Sequence, residues 1–483
     1  MSGEDLNQAF IARVGSFFAD GAGNITMGLE DLNSVNGVTT VSFSNSTYSI
    51  QPNGRGTLTL INAVNGSSLQ LSVTLISNTK GFMIQTDFNA TSSGNFILQS
   101  PGAFSNPGIS LNYVFDVSGV DTNNPSVQAF PISIVGQIQT DGGGNVKGGT
   151  MDVNDGAAVV PSGPLAVPAS TYAVDTGMNG TTFGRGAITI NSRNFVFYIV
   201  DNTRFKMMEI DTGATLGDAT LQTGTIPMQS SGFTGSFAFL VGGSSVLGTA
   251  GPLTRAGRFT ADGSGNLNTI FLDDNNFGSR HSTAPNNVSP GASYAIDPTP
   301  SVAGSGRGTL TIKDSGLTDA FNYVFYLVSP TQAVIQDTSN GVIADGSMLA
   351  QAAGPLAFPT TGNFAFNWSG IILNSSNTIE FEEDFVGQYS PASPGVNGFN
   401  GAMDFEELGS SGKNLFTNVP ITVSTSINSN VPDGTGPNGY QVVTGNSPST
   451  TFHYRAYIVD SNTVFLMGFD SNQVIAGTVS AQP

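Results

Sequence analysis

The ten-residue stretch Gly15-Ser-Phe-Phe-Ala-Asp20-Gly-Ala-Gly-Asn24 returns twice further along the chain. Its second copy is Gly136-Gln-Ile-Gln-Thr-Asp141-Gly-Gly-Gly-Asn145, and its third is Gly257-Arg-Phe-Thr-Ala-Asp262-Gly-Ser-Gly-Asn266. The copies are evenly spaced, about 121 residues apart. A period this long indicates duplicated domains, because stacked solenoid units repeat every ~20 to 50 residues.

Each copy has the pattern of a β-hairpin turn. Asp opens the turn through its side chain, and the glycines supply the positive φ angles that a tight reversal needs. A calcium-binding loop is the alternative hypothesis. An EF-hand loop, however, needs oxygen-bearing side chains at alternating positions and a distant glutamate, and here glycines occupy those positions. The pattern therefore favours a plain hairpin.

The repeat divides the 483 residues into four β-domains, which we place at 1–106, 107–227, 228–357 and 358–483. The second of them shows eight short strand patterns and no convincing helix. We therefore predict an all-β chain of four tandem antiparallel domains, each an eight-stranded up-and-down barrel. A two-sheet sandwich is the alternative. Domain 4 is the most divergent, because its second turn is rebuilt as residues 390–397.

Domain 1 differs from the others at its start. Residues 2–5 align with residues 118–121, which we place just after the first strand of domain 2, so we predict that domain 1 lacks its first strand. One hypothesis is that the sequence was cut at a boundary. The other is self-association, in which the open edge accepts a strand from another chain. Domain 4 offers no obvious spare strand for that purpose.

Composition narrows the range of partners and compartments. The net charge of −19, from 34 acids and 15 bases, repels phosphate backbones and argues against nucleic acid as a partner. No apolar run approaches the length of a membrane span. Cysteine is absent, which excludes disulfides and thiolate metal sites. The Gly/Asn/Ser/Thr-rich composition is typical of secreted bacterial proteins, so we expect an extracellular or cell-surface location, with any export signal outside this chain.

Several shorter patterns accompany the hairpin turn, among them Phe-x-Phe, Tyr-x-Ile and Gly-Arg-Gly-Thr-Leu-Thr. Together, at residues 17–60, 137–190 and 259–312, they resemble a repeat of uncharacterised exported proteins of soil bacteria, some of them lipoprotein-like. The opening hairpin also resembles that of avidin-type and lipocalin-like barrels. The first resemblance implies export and tandem β-domains, and it implies no particular activity.

Arginines recur at equivalent positions of the Gly-Arg-Gly pattern: Arg55, Arg185 and Arg307. Carboxylates recur eleven residues after each turn aspartate: Asp31, Asp152 and Asp273. A guanidinium can hold a carboxylate in a fixed fork, so we predict one Arg–Asp bridge within each domain. The alternative is that these arginines hold an anionic ligand at the mouth of each barrel. Domain 4 has residues 438–440, Asn-Gly-Tyr, at this position, so a ligand role would be missing there.

Domain 4 carries the densest group of carboxylates: Glu380, Glu382, Asp384, Asp404 and Glu406. Crowded carboxylates raise one another's pKa or gather a cation. The group therefore suggests a site for a divalent cation such as calcium, the acid pair of a glycan-acting hydrolase, or simply a solvated acidic edge. No other cofactor is predicted. Trp368 is the only tryptophan, the residue on which glycan-binding modules often stack sugars.

Three functions follow from these patterns. The first is a non-catalytic structural or adhesive surface protein that forms filaments, because the repeat keeps its turns and core while its exposed polar residues vary. The second is a set of lipocalin-like barrels that bind small apolar ligands. The third is a glycan-acting hydrolase with its site in domain 4. Catalysis is the weakest of these, because no nucleophile elbow or histidine-based triad accompanies the carboxylates.

Overall fold

A computed structural model describes the chain except for residues 35, 122–129, 157, 166–169, 212, 227–228, 248–249, 284–290, 298–304, 315–318, 355, 360, 393–397, 427–439 and 448–450. The described residues form antiparallel β-sheets almost throughout, which confirms the predicted all-β class. No helix among them is both long and apolar enough to cross a membrane.

Each of the four repeats forms its own sheet. Domain 1 contains β1 (Ser2–Asp5), β2 (Phe10–Ala19), β3 (Asn24–Ser34), β4 (Gly37–Phe43), β5 (Ser46–Ile50), β6 (Arg55–Ile61), β7 (Ser68–Ser77), β8 (Lys80–Gln85) and β9 (Ala90–Ile97). Domain 2 contains β10 (Asn112–Asp121), β11 (Phe130–Thr140), β12 (Val146–Asp155), β13 (Ala158–Pro164), β14 (Tyr172–Val174), α1 (Met178–Phe183), β15 (Arg185–Ile190), β16 (Arg193–Asp201), β17 (Arg204–Glu209) and β18 (Gly213–Leu221).

Domain 3 contains β19 (Thr234–Ser245), β20 (Gly251–Asp262), β21 (Leu267–Asn276), β22 (Ser279–Thr283), β23 (Ser293–Ile296), β24 (Arg307–Ile312), β25 (Phe321–Ser329), β26 (Gln332–Asp337) and β27 (Val342–Ala350). Domain 4 contains β28 (Asn363–Leu373), β29 (Ile379–Pro391), β30 (Gly398–Gly409), β31 (Gly412–Ser426), β32 (Tyr440–Asn446), β33 (Thr451–Ile458), β34 (Thr463–Gly468) and β35 (Gln473–Gln482).

The sheets curl into barrels, the fold that the sequence favoured over a two-sheet sandwich. Barrel 4 is closed, with β28 paired to both β29 and β35. In barrel 1, β1 pairs with both β2 and β9, while β2 also pairs with β3. In domains 2 and 3 the strands follow one another around a nine-stranded sheet. Single bridges between Asn145 and Thr171, and between Asn266 and Ser293, join the two sides of these sheets.

Three details differ from the sequence predictions. Domains 1, 2 and 3 each form a nine-stranded sheet where the predicted barrel has eight strands, and the strand not predicted in domain 2 is β13. Domain 2 also has a short helix, α1, where none was expected. The prediction that domain 1 lacks its first strand is wrong in part. Ser118–Asp121 is the end of β10, and the equivalent Ser2–Asp5 forms the short strand β1. Domain 1 therefore keeps the last four residues of this strand.

The repeated aspartate organises each hairpin turn. Asp20 Oδ1 accepts hydrogen bonds from the backbone N–H groups of Ala22 (2.7 Å) and Asn24 (3.0 Å), and Asp20 Oδ2 accepts one from Asn24 Nδ2 (2.7 Å). Asp141 and Asp262 make the same contacts in barrels 2 and 3. The amide of the turn asparagine, followed by the backbone donors, lowers the pKa of all three carboxyls. The stretch is thus a hairpin turn, as predicted.

The barrels enclose separate cores of unequal size. Barrels 2, 3 and 4 are filled by aromatic clusters whose fully buried members include Tyr113, Phe115, Phe197, Phe205, Phe237, Phe239, Phe325, Phe364 and Phe366. The buried core of barrel 1 is smaller and mainly aliphatic, built around Leu58, Leu71 and Val73. Its Phe17 and Phe96 are only partly buried. Barrel 1 is therefore the loosely filled member of the set.

The barrels are arranged in a closed ring. Each barrel contacts the next along the chain, and β28, β29 and β35 of barrel 4 contact β7, β8 and β9 of barrel 1. A glutamine at the end of each repeat makes a bond of the same kind at every junction between barrels. Gln99, Gln222, Gln351 and Gln482 each donate from Nε2 to backbone carbonyls of the following barrel, and for Gln482 that barrel is barrel 1.

Candidate functional sites at the barrel junctions and in barrel 1

The repeated arginines lie at the junctions between barrels. Arg185 of barrel 2 holds Asp31 of barrel 1 with two bonds, Nε to Oδ2 at 2.8 Å and Nη2 to Oδ1 at 3.1 Å. Arg307 of barrel 3 holds Asp152 of barrel 2 in the same way, with both distances at 2.8 Å. Such planar, bidentate contacts fix orientation as well as distance. They therefore set how one barrel sits on its neighbour.

A tyrosine completes each of these contacts. The hydroxyl groups of Tyr198 and Tyr326 donate to Asp31 (2.7 Å) and Asp152 (2.6 Å). Each tyrosine lies opposite its arginine on the next strand. Burial, then the adjacent carboxylate, raises the pKa of both hydroxyls, so they remain protonated donors. Asp273 of barrel 3 receives the same hydroxyl bond from Tyr457 of barrel 4 (2.7 Å).

The predicted Arg–Asp bridges thus join Arg185 and Arg307 to the recurring carboxylate of the preceding barrel and not to that of their own domain. Within their own domains, Arg185 pairs with Asp175 and Arg307 pairs with Asp297 at 3.4 Å, so a bridge inside the domain is also present there. In domain 4, residues 438 and 439 of the predicted Asn-Gly-Tyr position lie outside the described residues, and Arg455 on β33 reaches Asp273 instead, at 3.7 Å. The anionic-ligand hypothesis for these arginines stays a prediction.

The fourth bridge closes the ring. Arg55 of barrel 1 contacts Asp404 of barrel 4, with Nη2 2.5 Å from Oδ1, and it also donates to Asn418 Oδ1 at 2.8 Å. Both side chains of the ion pair are about nine-tenths buried. The position opposite Arg55, which is tyrosine in barrels 2 and 3, is Thr74. The closing junction therefore repeats the ion pair without the tyrosine.

A second contact, which we call the junction latch, recurs two residues after each bridging carboxylate. In it, a side-chain nitrogen of one barrel donates to two backbone carbonyls beside a hairpin of the next barrel. Asn33 Nδ2 binds the carbonyls of Glu209 (2.7 Å) and Gly213 (2.9 Å). Asn154 and Asn275 make the equivalent bonds to barrels 3 and 4.

The closing junction builds its latch from different residues. The asparagine position is Glu406, which is fully buried. Glu406 contacts Lys413 Nζ, and this nitrogen donates to the carbonyls of Gln85 (2.9 Å) and Ala90 (2.5 Å). These carbonyls flank the β8–β9 hairpin, as Glu209 and Gly213 flank the β17–β18 hairpin. An ammonium supported by a carboxylate therefore takes the place of an amide.

Further carboxylates lie buried beside this latch. Thr91 donates to Glu382, and the backbone N–H of Ser92 donates to Glu406 Oε1 at 3.2 Å. Burial raises the pKa of Asp384 to about 7 and that of Glu4 in barrel 1 to about 7. Burial also raises the pKa of Glu382 and Glu406 well above the usual range. Three of the five carboxylates predicted for domain 4, Glu382, Asp384 and Glu406, thus lie close together, and they do so against barrel 1.

The members of that cluster do not all share one place. Glu380 is exposed on β29, Asp404 is bound to Arg55, and Glu406 is bound to Lys413. Among the described residues, no group of three or more His, Asp or Glu side chains is arranged to hold a metal ion. The cation hypothesis stays a prediction. Trp368 lies in the barrel 4 core, where its ring stacks on Phe366 at 4.1 Å, and it is 5 % exposed.

Barrel 1 has an opening in its wall. Strand β1 covers only Phe10–Ala12 of β2 and Ala90–Ser93 of β9. Beyond it, no strand among the described residues lies between Gly15–Ala19 and Gly94–Ile97. A cavity of about 710 Å³ lies at this opening and is shared with barrels 2 and 3, which contribute charged side chains such as Lys206 and Asp218 and apolar ones such as Val334. Its barrel 1 lining includes Phe17, Phe43, Leu60, Leu69, Leu71 and Phe96.

Sequence reasoning missed the latch and the glutamines, although both leave a signal. The triplets at 31–33, 152–154 and 273–275 all read Asp-x-Asn, and 404–406 reads Asp-x-Glu. Glutamine recurs at 99, 222, 351 and 482, at the end of each repeat. Recurrence of this kind reveals a shared requirement. It does not say whether the partner lies in the same domain or the next.

No protein family matches the sequence, and no curated protein matches it. Among solved structures, the chain is similar to Transferrin Binding Protein B from serogroup B Neisseria meningitidis, with 8 % identity over 89 % of this chain and 85 % of that one and a TM-score of 0.22. A Transferrin Binding Protein B double mutant from Haemophilus parasuis Hp5 gives 10 % identity over 84 % and 83 %, with a TM-score of 0.17. At these TM-scores the likeness carries no conclusion about function.

Proposed function

We propose that this chain is a non-catalytic binding protein of the cell exterior, in which a ring of four barrels presents barrel 1 as the binding domain. The observation that carries the proposal is the contrast between barrel 1, with its loosely filled core beside a cavity, and barrels 2, 3 and 4, with their filled aromatic cores. Ligand sites are typically concavities of ~300 to 1,000 Å³ that combine apolar walls with a few polar groups. The cavity, which residues of barrels 2 and 3 also line, falls in that range.

The ring supports this role because it holds the open barrel from both sides. Asp31 and Asn33 tie barrel 1 to barrel 2, and Arg55 together with the Lys413 latch ties it to barrel 4. A barrel with a small core and an incomplete wall gains stability from such neighbours. The ring therefore stabilises barrel 1 in spite of its small core.

The alternatives receive less support. Of the predicted domain 4 carboxylates, Glu382, Asp404 and Glu406 contact barrel 1 and only Glu380 is exposed, so no pair of them is open to a glycan. A filament requires a junction surface left free at each end, whereas the Arg–Asp and latch contacts of barrel 4 are used within the chain by barrel 1. Repeated contacts that close on themselves give a ring, and only non-closing ones give a fibre.

The proposal is tested by titrating the protein with the apolar fluorescent probe N-phenyl-1-naphthylamine. We expect saturable binding of one probe per chain. Met83 lines the cavity, so Met83→Trp should fill part of it and weaken binding at least tenfold. Met27→Trp introduces the same ring at an exposed position of β3 in the same barrel and should leave binding unchanged. Absence of saturable binding, or equal weakening by both variants, would contradict the proposal.

A further inference from the structure

The interior of barrel 3 contains a buried cation between two carboxylates. Arg255 Nε lies 2.6 Å from Asp274 Oδ1, and Arg255 Nη1 contacts Asp337. The guanidinium also lies over the ring of Phe321, 4.7 Å from its centroid. Carboxylates inside a protein require a cation or hydrogen-bond donors, because burial removes them from water. The arginine therefore supplies what the two aspartates need.

Barrel 2 meets the same requirement from a different strand. Arg193 on β16 lies 2.9 Å from Glu209 and 3.3 Å from Asp121, both inside the barrel. Barrel 4 has aromatic residues at the two arginine positions. Counted from the junction tyrosine and from the glycine of β29, these residues are Phe452 and Phe385.

Barrel 4 nevertheless has two inward carboxylates in this region. Glu383 on β29 and Glu407 on β30 lie directly opposite each other, and Glu383 is 2 % exposed. They share the inner face with Phe385 and Phe405, because side chains alternate along a strand. Like charges opposite each other on neighbouring strands are destabilising. The pair therefore needs a counter-charge or a shared proton.

Domain 4 supplies no cation to this carboxylate pair. Its only lysine and its only arginine are Lys413 and Arg455. Lys413 is bound at the closing junction, and Arg455 reaches Asp273 of barrel 3 at 3.7 Å. The one histidine of the domain, His453, lies on the exposed outer face of β33, where Nδ1 is 2.8 Å from Asp470. All three basic side chains thus serve other contacts.

Polar atoms without partners lie beside the carboxylates. Gln473 Nε2 donates to Glu383 Oε2 at 3.5 Å. Among the described residues, Gln473 Oε1 and the hydroxyl of Tyr454 have no hydrogen-bond partner, although these side chains are 2 % and 1 % exposed. Tyr454 lies close enough to Glu383 that the carboxylate adds to burial in raising its pKa. Buried polar atoms are almost always paired, so these two indicate a polar ligand.

A row of aromatic rings leads from the surface to the carboxylates. Phe416, which is 38 % exposed, stacks on Phe405 at 4.4 Å, and Phe405 stacks on Phe385 at 5.3 Å. Trp368 lies 6.2 Å from Phe385 and 4.9 Å from Tyr454. The faces of aromatic rings attract cations. Rings, carboxylates and free acceptors together match an organic cation.

We propose that barrel 4 binds a guanidinium compound, whose cation lies between Glu383 and Glu407 and whose remainder extends past Phe416 toward the surface. The guanidinium donates to the carboxylates and to Gln473 Oε1, as Arg255 donates to two aspartates in barrel 3. A divalent metal fits less well, because no three acidic or histidine side chains of the described residues are arranged to hold one. The site is separate from the cavity beside barrel 1, so it does not depend on the proposed function.

Calorimetry with butylguanidinium tests the site, and butylurea is the neutral probe of the same shape. We expect one butylguanidinium per chain and at least tenfold weaker binding of butylurea. Glu383→Gln should weaken butylguanidinium binding at least tenfold, and Glu380→Gln, at an exposed position of the same strand, should leave it unchanged. No saturable binding, equal binding of the two probes, or equal effects of the two substitutions would overturn the inference.

Stability separates a binding role of Glu383 from a structural one. Glu383→Gln replaces a buried carboxylate that has no cation, so it should raise the Tm of the ligand-free protein while it weakens binding. A structural carboxylate would give the opposite result, a lower Tm with unchanged binding.

Proton release reports whether the cation reaches the pair. Burial, then Glu407 and more weakly Asp384 on the outer face of β29, raises the pKa of Glu383 well above its usual range. A cation beside Glu383 should displace its proton, so the heat of binding should differ between buffers of different ionisation enthalpy. Equal heats would contradict the inference.

A built-in cation gives an independent test. Phe452→Arg places a guanidinium at the position of Arg193 in barrel 2, and Phe452→Leu is its control. The arginine should pair with the carboxylates, prevent butylguanidinium binding and raise Tm, whereas the leucine should do none of these. If both variants bind the probe equally, the inference falls. The peptide Gly-Gly-Arg-Gly-Gly distinguishes the source of the guanidinium, since tighter binding than butylguanidinium assigns it to a protein side chain and weaker binding to a free compound.

Discussion

Three of the four barrel junctions are built from apolar clusters, and the fourth is built from charged residues. Val14, Leu29, Val196 and Met208 join barrels 1 and 2. Val114, Val135, Val324 and Val334 join barrels 2 and 3, and Ala238, Ala256, Phe465 and Met467 join barrels 3 and 4. Where barrel 4 meets barrel 1, the contact residues include Thr91, Ser92, Glu382, Asp384, Glu406 and Lys413.

The difference follows the course of the chain. The three apolar junctions join consecutive barrels, which short connections already keep close together. The charged junction joins barrels that lie at opposite ends of the sequence, so forming it costs the loop-closure entropy of the whole ring. All four junctions contain a buried carboxylate contact that depends on geometry and protonation, but the three consecutive ones also have an apolar cluster that does not. The ring is therefore expected to be strongest between consecutive barrels and conditional at its closure.

The largest effect is expected from Lys413→Met. The substitution removes the latch nitrogen and leaves Glu406 buried without its cation, which typically costs ~3 to 5 kcal/mol when a buried pair loses one partner. We expect the ring to open between barrels 4 and 1. Small-angle X-ray scattering should then show a larger radius of gyration, while each barrel stays folded by circular dichroism.

Two further variants serve as controls for that measurement. Arg307→Met breaks the ion pair to Asp152 between barrels 2 and 3, where the valine cluster remains, so the melting temperature should fall without a change in radius. Lys147→Met removes an exposed lysine and should change neither quantity. A Lys413→Met protein with the native radius would mean that the closing junction does not depend on its latch.

The next effect is a pH dependence of ring closure. Carboxyls such as Asp384 and Glu4 ionise near pH 4 in an unfolded chain. Burial raises the pKa of each to about 7 in the folded protein. The folded state therefore binds extra protons between these values. The stability that these groups contribute is fully present below pH ~4 and is lost as the pH rises through 7.

Chemical denaturation at pH 5 and pH 8 measures this dependence, and we expect lower stability at pH 8. Asp384→Asn should reduce the difference, because the amide cannot ionise. Asp262→Asn is the matched control, since the pKa of Asp262 is lowered and the carboxyl stays ionised across this range. If Asp384→Asn leaves the difference in stability between pH 5 and pH 8 unchanged, this carboxyl does not make the closing junction depend on pH.

The smallest effect is expected from the glutamines that end each repeat. Gln482→Ala removes one bond from barrel 4 to the Leu75 carbonyl (2.6 Å), worth about 1 kcal/mol. Gln222→Ala removes two bonds from barrel 2 to barrel 3, to Ser305 and Leu327. We expect Gln222→Ala to lower the melting temperature more, and Gln482→Ala to act mainly by enlarging the radius of gyration. If Gln482→Ala lowered the melting temperature more than Gln222→Ala, the junction between barrels 4 and 1 would be the more stable of the two.

The local structure could be predicted from the residue pattern alone. The Asp-Gly-x-Gly-Asn turns, the alternating strands and the repeat length depend on contacts between residues close in the chain, so their patterns could be read directly. Arg55, Arg185 and Arg307 were likewise recognisable as a recurring requirement for a carboxylate.

Which recurring carboxylate each arginine holds depends on how the barrels pack against one another. Asp31 lies closer in sequence to Arg55 than to Arg185, yet it pairs with Arg185, because the junction brings together surfaces that lie more than a hundred residues apart. The ring and the Lys413 latch arise in the same way. Each depends on how whole barrels pack, and sequence periodicity carries no information about that packing.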